Sequence, residues 1–414
     1  MLKTKKNTFD VDAVRAEFPV LDQKVYGKKQ LIYFDSAASS QKPKSVADAV
    51  AHYYLYEHAN IHRGVHFLSQ QATDQYEKVR KKTRDFINAA YDEEIIFTSG
   101  TTDGINLVAA TFDRAYIQPG DEVIVSGMEH HSNLVPWQMM CERSGAVLKF
   151  VPVSDSGEFV FDAYEKLLNS KTKLVAVSHV SNTLGTINPV KNIISKAHDF
   201  GAKVLIDGAQ SVPHLKVDVR DLDCDFYAFS AHKMYGPTGV GVLYGKKEIL
   251  NEMPPYRGGG EMIKTVTLEK STYNGLPHKF EAGTPNIAGV IGLGAAIDFM
   301  LRDYVKGAEE HEHEVLQYCE EQLRRHFNEI KIIGEAPEKT GGVSFLLGDL
   351  HHYDVGVLLD RLGVAVRTGH HCTEPLMTRF GITGTVRASF GMYNTKDEVD
   401  VFIDGLKHAE RMLS

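Results

Sequence analysis

Short apolar runs alternate with amphipathic stretches along much of the chain, and this alternation limits the possible folds more than any other feature. The six runs are Ile95–Thr98, Val123–Ser126, Leu174–Ser178, Val204–Ile206, Phe226–Phe229 and Gly241–Tyr244. Helical patterns such as Asp162–Leu168 and Ile193–Phe200 lie between most of them, and Pro119-Gly120-Asp121 and Gly201 punctuate the joins. The pattern predicts an α/β fold: a mainly parallel sheet flanked by helices. At 414 residues the chain is too long for one ordinary core. After about Gly289 long helices come first, then strands at 341–346 and 364–366, then a final helix from Lys396. That order predicts a smaller α+β C-terminal domain. The expected division is an N-terminal segment at 1–30, a large domain at 31–290 and a small domain at 291–414.

A net charge of −8 argues against a general nucleic-acid binder or a ligand of acidic membranes, since either needs a basic face. The basic start Lys3–Lys6 has no apolar run behind it, so a solvated terminus is expected there rather than a secretory signal. Ile287–Leu301 is apolar but interrupted by glycines and Asp298, which predicts a buried helix rather than a membrane span. The four cysteines, Cys141, Cys224, Cys319 and Cys372, lie far apart and form no Cys-x-x-Cys pair. Neither a disulfide framework nor a zinc ribbon is expected, and a reducing cytoplasm is the expected compartment. Cys319, within the helical run Glu309–Arg325, and Cys224, just before an apolar strand, fit inert buried thiols.

Ligands of open α/β sheets bind beyond the carboxyl ends of the strands. Five of the runs end there in polar residues: Ser99-Gly100-Thr101-Thr102, Glu129-His130-His131, His179 with Asn182, Asp207-Gly208-Ala209-Gln210, and Ser230-Ala231-His232-Lys233. Five such endings in succession point to one shared site. Gly100 permits close backbone approach, and the run from Asn106 looks helical, so this helix start suits a phosphate; a plain helix cap is the alternative. Asp207 follows apolar residues and needs a cation. A protonated pyridine nitrogen is one candidate, because pyridoxal phosphate draws electrons only while that nitrogen keeps its proton; a structural ion pair is the other. Lys233 stands at the end of an apolar strand, where its amine can condense with an aldehyde as a Schiff base, although most lysines are solvated surface groups. Ser230 and His232 are placed to help bind a phosphate. His130 or His131 can stack on a ring and move protons near neutral pH, and at least one of the two is expected to be structural.

Arg367-Thr368-Gly369-His370-His371-Cys372 follows the apolar stretch Leu362–Val366. Arg367 and the two histidines offer Cys372 cationic neighbours, which favour the thiolate. A buried inert thiol does not suit so polar a segment, and a metal site would need further ligands that are not evident. Arg387, in the strand-like run Thr385–Ser389, can clamp a carboxylate in a bidentate manner. The other histidine clusters carry less: His311 and His313 lie on a charged helical face, and His351-His352 falls in an expected turn. Gly258-Gly259-Gly260 is expected to be a flexible loop. It lacks a dinucleotide pattern, and no Gly-x-Gly-x-x-Gly follows a first strand, which argues against a nicotinamide oxidoreductase.

Taken together these residues resemble the fold-type I pyridoxal-phosphate enzymes, and among them the group II cysteine desulfurases of the SUF iron–sulfur assembly system, relatives of the class V aminotransferases. The similarity runs from Tyr33-Phe34-Asp35-Ser36-Ala37-Ala38 to the C-terminal helix. It includes Asn60-Ile61-His62-Arg63-Gly64, Met128-Glu129-His130-His131, Arg257-Gly258-Gly259-Gly260-Glu261-Met262, Phe280-Glu281-Ala282-Gly283-Thr284-Pro285 and the Arg-x-Gly-His-His-Cys segment at 367–372. That last segment separates group II from group I, whose cysteine lies in a longer loop.

The resemblance implies that Lys233 holds pyridoxal phosphate covalently, Asp207 pairs with its ring nitrogen, Gln210 bonds the ring oxygen and His130 stacks on the ring. It implies that Thr101, Thr102, Ser230 and His232 hold the phosphate, with Thr284 reaching it from a neighbouring subunit of a homodimer. Asn182, Arg367 and Arg387 would orient the substrate L-cysteine, and Cys372 would receive its sulfur as a persulfide for a SUF-system acceptor protein. No metal site is implied. The chain departs from the family in having Thr373-Glu374 after the cysteine, where a small residue is more usual, and Asp103 in place of Glu. A selenocysteine lyase of the same fold is the nearest alternative activity. A kynureninase or small-acid aminotransferase leaves the His370-His371-Cys372 segment unexplained, and a non-catalytic sulfur carrier would need neither Lys233 nor Asp207.

Overall fold

The computed structural model describes residues 9–413, so Lys3–Lys6 lie outside the described residues. Seven strands build the central sheet: β1 (Ile95–Thr98), β2 (Glu122–Ser126), β3 (Val147–Val151), β4 (Thr172–Ser178), β5 (Lys203–Asp207), β6 (Phe226–Ser230) and β7 (Gly241–Gly245). Six match the apolar runs. β3 is the addition, and its five residues show why it is hard to foresee: it is an edge strand of which only Val151 is buried. The order across the sheet is β1-β7-β6-β5-β4-β2-β3. Strands β2 to β6 pair in parallel, and β7 runs antiparallel to both β1 and β6.

Alternation of side chains along each strand divides the core into two layers. Ile124, Val175, Val177, Ile206 and Phe229 face one layer with Ile193, Ile194 and Leu293. Val123, Val125, Ala176, Leu205 and Ala228 face the other, against Leu107, Phe112 and Trp137. With both faces covered, no strand in the middle of the sheet can carry a polar side chain except at its end. The polar residues therefore collect at the carboxyl ends.

A second sheet has four strands in the order Ile330–Ile333, Gly342–Leu347, Thr385–Ser389, Arg367–Gly369, all antiparallel. Helices Ala308–His326, His352–Arg361 and Lys396–Leu413 contribute apolar residues to its core. His351 does not lie in a turn, as expected from its sequence, but caps the helix that begins at His352. The expected strand at 364–366 is confined to Val364–Ala365, and it pairs in parallel with Ile32–Tyr33. This pairing delivers Asp35 to Ser389 on the second sheet. Helix Ile287–Met300 is buried as expected and packs on helices Lys44–His52 and Phe67–Phe86, so a division at residue 290 would run through one helix. Among the described residues, no helix is long and apolar enough to cross a membrane.

Candidate active site

The carboxyl ends of β4, β5 and β6 open onto a cavity of about 210 Å³, closed on its other side by Arg367, His371, Cys372 and Arg387 from the second sheet and its loop. Thr101, Thr102, His130, Asn182, Asp207, Gln210, Ser230, His232 and Lys233 also line it. His131 and His370 do not border it, and Thr284 is exposed and lies away from the cavity of its own chain.

One end is suited to an anion. Gly100 has a φ of 144° and begins helix Thr101–Tyr116, so the positive end of the helix dipole faces the cavity. A Cβ added at Gly100 would come within 3.2 Å of Ser230 Oγ, which fits a close cradle. Ser230 Oγ accepts from the Thr101 N–H at 2.8 Å and bonds Thr101 Oγ1 at 2.7 Å, locking β6 to the helix start. Burial, helped by the charges of Lys233 and Lys42, lowers the His232 pKa to about 4, so its ring is neutral at working pH.

Lys233 ends a single turn of 3-10 helix that leaves β6. The peptide before it is held firmly, because the His232 carbonyl accepts from the Ser40 N–H at 3.0 Å, Lys42 Nζ at 2.9 Å, and Ser39 Oγ and Ser40 Oγ at 3.2 Å each. Burial lowers the Lys233 pKa to about 8; Asp207 opposes the shift, and Arg387 and Arg367 add to it. The amine thus sheds its proton more readily than an ordinary lysine, as a nucleophile or base requires. Asp207 is 5% exposed and its carboxyl pKa is raised, chiefly by burial. Its Oδ1 accepts from the Ala209 N–H at 2.9 Å, and Lys233 is the cation whose charge reaches it. A ring cation would relieve this buried carboxylate.

His130 Nδ1 bonds Ser132 Oγ at 2.7 Å and accepts from the Ser132 N–H at 3.1 Å. Burial, then the charge of Lys233, pushes its pKa down to about 3, so the ring stays neutral, which suits stacking more than carrying a proton. Glu129 is buried beside it and accepts from Ser126 Oγ at 2.5 Å, Asn133 Nδ2 at 2.7 Å and the Ser178 N–H at 3.1 Å. It ties the end of β2 to the end of β4, and burial pushes its pKa up to about 7.

Cys372 lies in the short connection between strand Arg367–Gly369 and helix Glu374–Phe380. His371 and Cys372 have φ of 51° and 60°, a left-handed conformation that side chains other than glycine adopt at a cost. Cys372 is partly exposed, whereas the other three cysteines are buried. Burial pushes the Cys141 thiol up to about 11 and the Cys224 and Cys319 thiols higher, as expected of inert groups. One of the expected cationic neighbours, His371, needs correction. His371 is 3% exposed, and burial followed by the nearby guanidiniums lowers its pKa to about 2, so it is neutral. The charged groups that feel Cys372 are Lys233 and Arg387. Thr373, the departure from the family pattern, is buried, and its hydroxyl bonds Thr183 Oγ1 at 2.8 Å and the His370 carbonyl at 2.9 Å.

Asn182 Nδ2 donates to the His371 carbonyl at 2.8 Å, so it braces the cysteine loop as well as lining the cavity. Arg387 Nη1 donates to the Asn182 carbonyl at 2.8 Å and Nη2 to Asp35 Oδ1 at 3.2 Å, while Nε is buried with no partner. Gln210 Nε2 donates to the Ala37 carbonyl at 2.7 Å. Asp35 and Lys42 were not recognised as site residues from sequence, and Glu129 was placed at a strand end without a role. Asp35 stands inside the Tyr33-Phe34-Asp35-Ser36 motif, but only the pairing of residues 32–33 with 364–365 brings it to Arg387. Outside the cavity, His62, Glu77 and His278 bring possible ligand atoms within 4.8 Å of one another. Glu77 there is already engaged by His62 at 3.0 Å and by Arg80 at 2.8 Å.

The anion cradle, the buried carboxylate and the strand-end lysine fit pyridoxal phosphate, which Asp207, Lys233 and the start of helix Thr101–Tyr116 would hold. Comparison with known proteins agrees. The family profile of class-V aminotransferases matches residues 32–402. A cysteine desulfurase of Escherichia coli O127:H6 is 50% identical over 407 residues, covering 98% of this chain and all of that protein. A probable cysteine desulfurase 1 of Mycobacterium leprae is 49% identical over 96% of this chain and 65% of its own length. Among solved structures, the cysteine desulfurase CsdA from Escherichia coli superposes with a TM-score of 0.91 at 38% identity, covering 98% of this chain and 100% of that one. The apo cysteine desulfurase from Thermococcus onnurineus NA1 gives 0.92 at 40% identity, covering both chains completely. The chain belongs to the class-V aminotransferase family and, within it, to the pyridoxal-phosphate-dependent cysteine desulfurases.

Proposed function

We propose that the protein converts L-cysteine to L-alanine, keeps the sulfur as a persulfide on Cys372, and passes it to an acceptor protein for iron–sulfur cluster assembly, as a group II desulfurase of the SUF type. The observation that carries this reading is that Lys233 and Cys372, from two different sheets, border one cavity. The short loop around Cys372 favours group II over group I. Bound pyridoxal phosphate supplies the electron sink that makes the α-carbon of cysteine acidic. Arg387 receives the substrate carboxylate on its free edge, and Asn182 fixes the guanidinium through its carbonyl. Lys233 Nζ, in the same cavity, would take up and hold the α-proton. Cys372 Sγ, as thiolate, attacks the substrate sulfur. The S–S bond forms, the C–S bond breaks with its electron pair left on carbon, and a proton completes alanine.

The same reading includes a homodimer in a reducing cytoplasm. Tyr54, Leu55, Tyr56, Val65 and Phe67 are 58–93% exposed and cluster in sequence around the start of helix Phe67–Phe86. So much adjacent apolar surface favours a covered face. A second copy seated there would supply Thr284 to the phosphate end.

Two variants separate the roles. Lys233→Ala should lose the covalent cofactor linkage and all alanine release. Cys372→Ala should retain the cofactor absorbance and its change on adding L-cysteine, yet form no protein persulfide. Normal alanine and sulfide release by Cys372→Ala would overturn the assignment of the sulfur acceptor.

A further inference from the structure

His131 takes no part in the chemistry above, yet two of its bonds reach the Cys372 loop. Its backbone N–H donates to the Cys372 carbonyl at 2.8 Å, and its ring Nε2 accepts from the Glu374 N–H at 3.2 Å. The neighbouring His370 acts alike, since its Nδ1 accepts from the Cys372 N–H at 3.2 Å. The two rings lie against each other with centroids 5.7 Å apart and planes 33° apart. Between them sit His371 and Cys372 in their left-handed conformation. A strained turn persists only where its surroundings hold it. Here two imidazoles hold it by accepting backbone N–H groups on either side of the sulfur.

We propose that His131 is a positioning residue that latches the Cys372 loop through its neutral ring, and that protonating the ring releases the latch. An imidazolium has no lone pair to offer, so the Glu374 N–H bond exists only while Nε2 is unprotonated. The groups that set this titration are His370 across the loop, Glu374 on the following helix and His130 at 6.3 Å between centroids. Burial lowers the His131 pKa and His370 lowers it further, whereas the Glu374 carboxylate raises it. Glu374, one of the two departures after the cysteine, therefore tunes the latch: its N–H makes the bond and its charge moves the pH at which the bond fails. Below that pH the loop loses one restraint, and Cys372 is less firmly aimed at the substrate sulfur.

The proposal rests on Cys372 as the sulfur acceptor for its functional meaning, but the latch can be read without any turnover. Deuterium exchange of the 370–376 backbone, followed in the holoenzyme from pH 5 to 8.5 and corrected for intrinsic exchange, measures it directly. In the wild type, protection should fall as pH drops through a midpoint below that of an ordinary imidazole. His131→Ala should lower protection of the Glu374 amide at pH 8 by about fivefold, the value of one net backbone hydrogen bond, and should remove the pH dependence of that amide. His131→Gln, whose Oε1 accepts the N–H without titrating, should restore protection and keep it flat with pH. In turnover, His131→Ala should lower kcat and leave KM for L-cysteine within about twofold, because it does not touch the substrate. Unchanged protection in His131→Ala, or a wild-type pH dependence in His131→Gln, would sink the latch. If His131→Ala fails to fold, the Gln variant alone decides. Failure of the sulfur-acceptor assignment would appear in Cys372→Ala turnover and leave the exchange result standing.

Discussion

Replacing Arg387 by leucine tests the substrate end of the cavity. The guanidinium is 3% exposed, with Nη1 on the Asn182 carbonyl, Nη2 on Asp35, and Nε buried without a partner. Burial lowers its pKa to about 10 against the pull of Asp35. At pH 8 only about one group in a hundred is then neutral, so the residue acts as a cation in any ordinary assay. A carboxylate arriving at Nε and Nη2 gains two charge-assisted hydrogen bonds of about 1.5–3 kcal/mol each. Asp35 already shares Nη2 and repels the newcomer, so the lower half of that range applies, about 3–4 kcal/mol in all. At about 1.4 kcal/mol per tenfold, Arg387→Leu should lower kcat/KM for L-cysteine by about 10²–10³. The assay compares alanine release from L-cysteine with sulfide release from 2-aminoethanethiol, which lacks the carboxylate. The wild type should prefer L-cysteine by a similar factor, and the variant should lose that preference while its kcat/KM for the amine stays within about threefold. A loss below about fivefold, or a preference that survives, would refute the argument and move the carboxylate to Arg367.

Two further outcomes are expected. Leu55→Asp combined with Phe67→Asp should convert a dimer to a monomer in light scattering and weaken cofactor retention on dialysis; a wild type that is itself monomeric would refute the dimer, and a variant that stays dimeric would place the interface elsewhere. His179 is 9% exposed, and burial lowers its pKa from 6.5 to about 4. Below pH 6.5 the unfolded chain binds a proton at this ring that the folded chain refuses, so stability falls as pH drops, by about 1.4 kcal/mol per pH unit until the folded group titrates. His179→Gln should flatten the slope of unfolding free energy between about pH 4.5 and 5.5 by that amount, and an unchanged slope in urea titrations would show that the ring is charged in the folded state.

The sheet was legible because its central strands are apolar on both faces and stop where a polar residue begins. β3 was hidden for the opposite reason: it is an edge strand with a single buried residue, and Lys149 interrupts its apolar run. The direction of β7 was equally hidden, since periodicity marks a strand but not its sense. Lys233, Asp207 and Cys372 stood out by their setting at strand ends. Asp35, Lys42 and the role of Glu129 did not, because each matters through a partner far away in sequence: Arg387, the His232 carbonyl and Ser178. Histidine charge was misjudged for a related reason. Near Cys372 the sequence shows two potential cations in His370-His371, but burial decides the state of His371, and burial is a property of the fold.

The distribution of charge explains why the cavity needs both sheets. Lys233, Arg367 and Arg387 border it together, and each makes its neighbours harder to protonate. Three cations in one small cavity would be costly alone. Asp207 and Asp35 offset part of that cost, one from the end of β5 and one from the strand pairing of residues 32–33. The remaining positive potential is what a phosphate and a carboxylate require. The histidines add no charge to this: burial keeps His130, His232 and His371 neutral. They are free to stack and to make hydrogen bonds that hold over the working pH range. Fixed charge therefore sits on lysine, arginine and aspartate, while the rings do the positioning. His131, outside the cavity, holds the Cys372 loop through the Glu374 N–H, and the proposed latch would let pH reach that loop.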